Sequence, residues 1–595
     1  MSSSSSFLYQ NCPVALDANP PQFRLVELFP TSEGGDINIR FHAYSLDTAP
    51  PFEALSYIWG NPDPRPEAYC DGHPIRVTRN LHNFLLALAG EGARLWLWID
   101  ELCINQEDSE EKMKTIQMIP SMFRHARRTM CWTGTPLGTE GSRLLGQLNK
   151  LWWEMPKEAK MPPTCDPYHS GSKLSENVLG FLEHRIAGFS REGWQDLDNF
   201  LSDRYFQRVW VLPDFVHSSQ LRVRHEFGEL SWEQLWAALE VCLLYSPQML
   251  QSSQSYVNIL AANYMRLVFQ RLLPGTLTFN RVLLTTHACG LQATNLIDHI
   301  HVIHTIRMFE DDDLDDTELD YRIPVQAFFR RAASRLGLLS LSLTDASSPS
   351  LPELESWVPT WGVARKSFLL NDSESRFSAS PLQSIHPQPI PTDSGKTIMQ
   401  VKGLLLDTVK QFSGYLPPRR HCDHYRLSGE LGFLFSEWFE FAKENSRSSS
   451  TIGQCHDQEI LIRFAETLHA RGCNSIWEPS EPSDPVHLAE QMRRFLEYLE
   501  VEGQEETVEI RWFYGACYPA HNRKFGVTSR NQFCLLPQTA LPGDLICIPH
   551  GSKVPYVFRR LHDSYQNQGE CYVHGFMQGE ITTLENTQEL MFDLA

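Results

Sequence analysis

The chain has 595 residues, more than one hydrophobic core sustains, so roughly two to four domains are expected. Its 52 basic and 72 acidic residues leave a net charge of −20, which argues against a nucleic-acid or anionic-membrane surface; contiguous basic residues occur as pairs such as Arg127-Arg128 and Arg419-Arg420. Apolar residues make up 42% and charged residues 21%, and the fourteen scattered cysteines form no CxxC pair, which fits reduced thiols in a cytoplasmic protein better than a disulfide framework.

Met1 to Gln10 is a serine run without the basic and apolar parts of a signal peptide, and residues 1–20 read as a disordered start. Phe23 to Leu28 and Ile37 to Tyr44 alternate apolar and polar residues as half-buried strands do, with Gly34-Gly35-Asp36 as the turn. Glu53 to Trp59 reads as a third strand and Pro74 to Val77 as a short fourth, with Asn80 capping a helix over Leu81 to Ala89. Leu95 to Ile99 is the most apolar strand and belongs at the centre of the sheet. Asp108 with Glu111 resembles a capping box that opens a helix to about Ala126, and Arg128 to Trp132 is the next strand. This alternation predicts an α/β domain over 21–245 with a mostly parallel sheet and right-handed crossovers.

Beyond an inserted loop marked by Pro162-Pro163 and Gly171, order resumes at Trp194 to Val211 and the strand-like Leu221 to Phe227. Ser231 and Gln234 form a second capping-box pair before the helix Trp232 to Leu244. The apolar stretch Leu235 to Leu250 is broken by Glu240 and too short for a membrane span. Residues 246–344 read as largely helical, with Glu310 to Asp320 as a solvated acidic loop. A linker-rich segment over 345–395 and a mixed α/β region over 396–505 follow. From 506 onward short strands alternate with turns: Arg511 to Tyr514, Gln532 to Leu536, Asp544 to Pro549, Val554 to Arg559 and Cys571 to Gly575. This is a small β-rich module of barrel type.

Two strands end abruptly in reactive side chains. The first runs through Ala54-Leu55-Ser56-Tyr57-Ile58-Trp59-Gly60, the second through Trp98-Ile99-Asp100-Glu101-Leu102-Cys103-Ile104-Asn105-Gln106. In a parallel sheet these ends share one edge, so Ser56, Tyr57, Trp59, Gly60, Asp100, Cys103, Asn105 and Gln106 would line one ligand crevice. Aromatic faces would stack on a ring, Asp100 would accept from ribose hydroxyls, and the amides offer donors and acceptors together. The competing reading takes Tyr57 and Trp59 as core anchors and Asn105-Gln106 as a helix cap. A Cys103 nucleophile with His125 or His217 as base has nothing in the sequence that fixes either histidine nearby. Metal ligation by His421-Cys422-Asp423-His424 or by His299, His301 and His304 is disfavoured by spacing, and no phosphate-cradling glycine loop is present.

Taken together and in this order, these signatures resemble the heterokaryon incompatibility (HET) domain of filamentous fungi. Ala54 to Gly60, Trp98 to Gln106, the acidic helix Asp108 to Arg127 and Ala126 to Gly134 follow the family pattern; Arg204-Tyr205-Phe206-Gln207-Arg208-Val209-Trp210 resembles its later block. The stretches Gly543 to Arg559 and Tyr572 to Glu580 resemble the carboxyl-terminal region that often accompanies it. The resemblance implies non-self recognition with programmed death of incompatible fused cells, self-association and protein partners. It also implies a fold similar to Toll/interleukin-1 receptor (TIR) domains, a flavodoxin-like sheet, some of which cleave NAD with a glutamate on a helix after a tryptophan. No resident cofactor or metal is implied, and NAD would be a substrate. The family's Trp-x-x-Gln-Glu block corresponds to Trp210-Val211-Leu212-Pro213-Asp214, so Asp214, with Asp100, stands where the catalytic acid would be. Aspartate is a methylene shorter than glutamate and proline resists a helix interior, which leaves enzymatic activity open.

Overall fold

The computed structural model describes residues 9–155, 185–245, 291–306, 321–417, 429–446, 454–470, 485–500 and 517–595, together with 258–259, 262–263 and 265–266. Within these ranges it omits 33–34, 62, 64, 187, 226–227, 345, 348–350, 352, 364–366, 368, 372–374, 383–386, 393–396 and 586. Gly34 of the expected turn, the insert around Pro162 and Gly171, the Glu310 to Asp320 run, His421 to His424 and the strand expected at Arg511 to Tyr514 therefore lie outside the described residues. The chain divides into two units, the first ending at Arg322 and the second running from Ile323 to Ala595.

The first unit is built on nine described strands: β1 (Gln22–Leu28), β2 (Asn38–Ser45), β3 (Glu53–Tyr57), β4 (Glu67–Cys70), β5 (His73–Arg76), β6 (Leu95–Trp98), β7 (Arg128–Trp132), β8 (Leu221–His225) and β9 (Gly228–Ser231). Their order is β5-β4-β2-β1-β6-β3-β7-β8-β9, which puts β6 in the middle as its apolar sequence requires. The sheet is mixed rather than mostly parallel. β6, β3, β7 and β8 run parallel, whereas β1 pairs antiparallel with both β2 and β6, and hairpins close the two edges. The physical reason is connection length: β1–β2, β4–β5 and β8–β9 are joined too tightly for a crossover helix. The parallel strands lie in the order second, first, third, fourth of one doubly wound class, whose switch point falls between β3 and β7.

Local chemistry sets the helix starts. Thr78, not Asn80, caps α1 (Arg79–Ala89), its hydroxyl accepting from the Leu81 amide. Asn80 sits inside the first turn and bridges strand ends instead, donating to the Ile58 carbonyl (2.6 Å) and accepting from the Trp132 indole (2.9 Å). A single turn, α2 (Asp100–Cys103), follows β6 directly. Asp108 caps α3 (Ser109–His125), but Glu111 does not return the bond, because its carboxylate turns inward to Arg24. Helices α4 (Thr139–Glu154), α5 (Arg191–Leu201), α6 (Val211–His217), α7 (Trp232–Tyr245) and α8 (Asp298–Ile306) complete the unit. At α7 the capping box is reciprocal: Gln234 N donates to Ser231 Oγ (3.2 Å) and Ser231 N to Gln234 Oε1 (2.9 Å). Helices α3, α6 and α8 pack on one another. Residues 9–20, expected to be disordered, are tied down: Tyr9 donates to the Ile104 carbonyl (3.0 Å), and Arg24 stands over its ring and donates to the Cys12 carbonyl.

The second unit opens with α9 (Val325–Leu336) and α10 (Leu338–Leu343) and carries β10 (Gln388–Pro391), β11 (Thr397–Tyr415), three helices α11 (Gly429–Ser446), α12 (Gln454–Leu468) and α13 (Pro485–Glu500), then β12 (Arg523–Thr528), β13 (Phe533–Pro537), β14 (Leu545–Pro549), β15 (Tyr556–Arg560), β16 (Tyr565–Glu570), β17 (Tyr572–Val573) and β18 (Gln588–Leu594). Strand β11 pairs with β14 on one side and β18 on the other, and β14-β15-β16-β18 joins them, so the ring closes into a barrel. The strands of this sheet begin well before residue 506. Buried Arg523 and Glu570 pair at 3.1 Å inside the unit, and Glu570 also accepts from the Leu370 and Asn371 amides. No helix among the described residues is long and apolar enough to cross a membrane.

Candidate functional site

A cleft of about 930 Å³ opens in the first unit at the carboxyl ends of β3 and β6, beside the switch point of the parallel strands. Of the nine residues singled out in the sequence, seven line it: Ser56, Tyr57, Trp59, Gly60, Asp100, Gln106 and Asp214. Its apolar floor is formed by Trp98, Ile104, Ile116, Ile119 and Phe123, and Trp210 and Tyr321 also face it.

Asp214 anchors the inner end. It is 9% exposed, and the Ser56 hydroxyl donates to its Oδ2 at 2.5 Å, bridging two residues 158 positions apart in sequence. The Tyr205 hydroxyl in turn donates to Ser56 Oγ at 2.8 Å. Burial pushes the Asp214 carboxyl up to about 7, against the opposing pull of the Ser56 hydrogen bond and the Arg208 charge. Pro213 does not break the helix that carries it. It is the third residue of α6, in the first turn, where an amide hydrogen has no intrahelical acceptor to lose.

Asp100 sits at the first position of α2, immediately after β6 ends. Its Oδ2 accepts from the Trp59 indole at 3.0 Å and lies 3.8 Å from Arg208 Nη2, while Oδ1 accepts from the Glu101 amide at 2.7 Å. Burial raises its pKa, and Arg208 and Trp59 oppose that rise. Arg208 also donates to the Tyr57 carbonyl, so it braces the end of β3 from the side. Gln106 donates to the Asp100 carbonyl at 3.0 Å. Gly60 turns the chain away with φ +74°, a conformation that favours glycine, and this lets β3 end abruptly at the cleft.

Glu101 turns away from Asp100. It accepts from Tyr57 OH (3.0 Å), Thr78 N (2.9 Å) and Thr78 Oγ1 (2.7 Å), which joins β3, the cap of α1 and α2 in one knot. Two expectations are corrected. Cys103 packs into the core, 3% exposed, its Sγ accepting from the Ile99 amide; burial pushes its thiol up to about 12, which leaves no nucleophilic thiolate. Asn105 belongs to the turn before α3, where its side chain accepts from the Glu107 amide and its own amide donates to Glu111. His125 and His217 bond to the Ser121 and Thr305 carbonyls, and His299 and His301 are buried in α8. Among the described residues no three His, Cys, Asp or Glu side chains converge as a metal ion would need.

The cleft also holds residues that had no role in the sequence reading: Lys112, Arg204, Arg208, Asp298 and Tyr321. Tyr321 OH donates to Asp298 Oδ1 at 2.8 Å, and the Trp210 side chain bonds the same carboxylate. Only the Arg204 to Trp210 block carried a signal for any of these. Asp298 and Tyr321 belong to a stretch without a recognisable pattern.

An α/β unit with a polar cleft at its parallel strand ends, in one chain with a β-barrel unit, defines the class. The family model described as heterokaryon incompatibility protein (HET) matches residues 52–213, and that of the Het-6 beta-barrel domain matches residues 488–592. The chain is 21% identical to heterokaryon incompatibility protein 6, OR allele, of Neurospora crassa, over 98% of this chain and 97% of that one. No solved structure matches it. The two family models and the relative together support a heterokaryon incompatibility protein with a HET domain over residues 52–213 and a Het-6 β-barrel over residues 488–592.

Proposed function

We propose that this protein is an effector of fungal heterokaryon incompatibility, switched on by self-association, whose HET domain triggers cell death by acting on a nucleotide bound in the Asp100–Asp214 cleft. NAD is the substrate this reading favours. The observation that carries it is Asp214, a nearly buried carboxyl titrating near neutrality and hydrogen-bonded to Ser56, in one cleft with Asp100. Perturbed carboxyls in a cleft of this volume are what hydrolysis through a glycosyl cation needs. In that reaction water adds to the ribose carbon, the carbon–nitrogen bond breaks, nicotinamide leaves with the bonding electrons, and the water's proton is released. A carboxylate beside the ribose steadies the developing positive charge, and the Trp59 and Trp210 rings offer flat faces to the leaving base. The family likeness supports the biological role, and the shorter Asp214 keeps a purely binding role as the second reading.

The test is nicotinamide release from NAD by the purified full chain, with its oligomeric state measured in the same preparation. Release abolished by Asp100→Asn in a folded protein is the expected outcome. Release only from Asp214→Glu would identify a lapsed enzyme. Silence from all three folded, associated proteins would leave the binding role, and a stable monomer harmless at high expression would overturn the effector reading altogether.

A further inference from the structure

In a chain of net charge −20, three cations share this one cleft: Lys112, Arg204 and Arg208. Two of them have no ion-pair partner among the described residues. Arg204 is exposed on the turn Arg204–Gln207; Lys112, half-buried on α3, holds its ammonium over the Tyr321 ring, 5.4 Å from the centroid. Asp298, a cleft carboxylate on which Lys112 acts, is held by Tyr321 and Trp210, and its pKa stays raised by burial despite Lys112 and Arg208. Arg208 has one nitrogen on the Tyr57 carbonyl and the other 3.8 Å from Asp100, too far for a full hydrogen bond.

The electrostatic contacts distinguish the cations. Arg208 acts on Asp214, Asp100 and Asp298 alike, whereas Lys112 acts on Asp298. Lys112 and Arg204 are thus cationic donors in the same cleft as Asp100 and Asp214 that are not spent on either carboxylate among the described residues. Exposed lysines and arginines are usually just solvated, and a lone one here would mean nothing. Three on one concave surface, two without counter-ions, are a different matter. Low-dielectric walls focus their field into the cleft, and guanidinium and ammonium groups make their strongest hydrogen bonds to phosphate oxygens.

We propose that Lys112, Arg204 and Arg208 form an anion subsite that takes the phosphoryl groups of the ligand, so that the cleft selects phosphorylated nucleotides over nucleosides and free bases. This rests on reading the cleft as a nucleotide site. With the phosphates on these cations, the attached ribose extends toward Asp100 and Asp214, which accept from its hydroxyls.

The test is equilibrium binding of ADP-ribose and of adenosine to the full chain, for the native protein, Arg204→Ala with Lys112→Ala, and Arg204→Lys with Lys112→Arg. The native protein should hold ADP-ribose roughly tenfold or more tighter than adenosine, because each charge-assisted hydrogen bond contributes at least that factor. The advantage should fall as salt rises. It should vanish in the double alanine variant and persist in the charge-keeping pair, with circular dichroism showing both folded. Equal affinity for the two ligands, binding of neither, or an alanine variant that keeps the native preference would each overturn the subsite. The cleavage reading fails separately: charge-dependent ADP-ribose binding without nicotinamide release removes catalysis and keeps the subsite. Nicotinamide release with an unchanged KM in the double alanine variant removes the subsite and keeps catalysis.

Discussion

Glu111→Ala should destabilise the first unit by about 3 to 5 kcal/mol, the cost of leaving one partner of a buried ion pair behind. Arg24 on β1 is 2% exposed, and both of its terminal nitrogens reach the Glu111 carboxylate, at 2.5 and 3.1 Å. The same carboxylate accepts from the Asn105 amide at 2.7 Å, and Arg24 donates to the Cys12 and Cys103 carbonyls. One carboxylate therefore fixes the amino-terminal segment, β1, the turn after β6 and the start of α3. Removing it strands a guanidinium that has no route to water. The unfolding midpoint should drop by roughly 4 to 8 °C, taking about 1.5 °C per kcal/mol for a unit of roughly 320 residues. Asp71→Ala, which unpairs the exposed Arg40, should move it little. A Glu111→Ala protein that melts with the native chain would show that the pair is not formed in solution.

That pair also shows where the sequence could and could not be read. Strands β3, β6 and β7 were legible because they are short apolar runs that stop at polar residues, and α3 and α7 because side chains announce their first turns. Strand β1 looked half-buried from its alternation, yet Arg24 and Glu27 are as buried as Leu25 and Val26 between them. Alternation reports chemistry, and a strand in mid-sheet can hide charges when other elements supply the counter-ions: Glu111 for Arg24, His42 and Arg94 for Glu27. Strand β11 was missed for another reason. Its ladders slip between Leu405 and Asp407 and between Val409 and Gln411, and each bulge shifts the phase of the two-residue period.

The cleft divides along the same line. Residues on the strand ends were legible because the fold class puts such ends together. Ser56 and Asp214, 158 residues apart, were each singled out, but nothing in the sequence says that they share a hydrogen bond. Arg208 was readable only as part of a family block, and Asp298 and Tyr321 not at all. Arg208 and Asp298 are themselves part of the charge that gives the cleft its polarity, and Tyr321 holds Asp298, so its chemistry was less visible than its location.

Asp214→Asn should make the first unit less sensitive to pH between about 4 and 7 and more stable than the native chain above pH 7. Burial raises the Asp214 carboxyl to about 7, whereas in the unfolded chain it titrates near the usual value of about 3.9. Between those limits the folded protein holds a proton that the unfolded chain has released, so stability falls as pH rises. The contribution is full below the unfolded pKa and is lost as pH climbs through the folded one. A separation of about three units corresponds to roughly 4 kcal/mol as an order of magnitude. Asparagine stays neutral throughout and still offers its carbonyl oxygen to the Ser56 hydroxyl. Glu240, buried on α7 and pushed up to about 7, adds a slope of the same sign, so the native curve should flatten only in part at position 214 and further with Glu240→Gln. Denaturant unfolding from pH 4.5 to 8.5 measures this. Parallel native and Asp214→Asn curves would mean that the carboxyl is already ionised in the folded protein. A carboxylate would then stand ready beside Ser56 at every pH tested, and any activity of the cleft should lack an inflection near pH 7. Converging curves place that inflection within the physiological range, where the protonation state of Asp214 would set the fraction of chains competent to act.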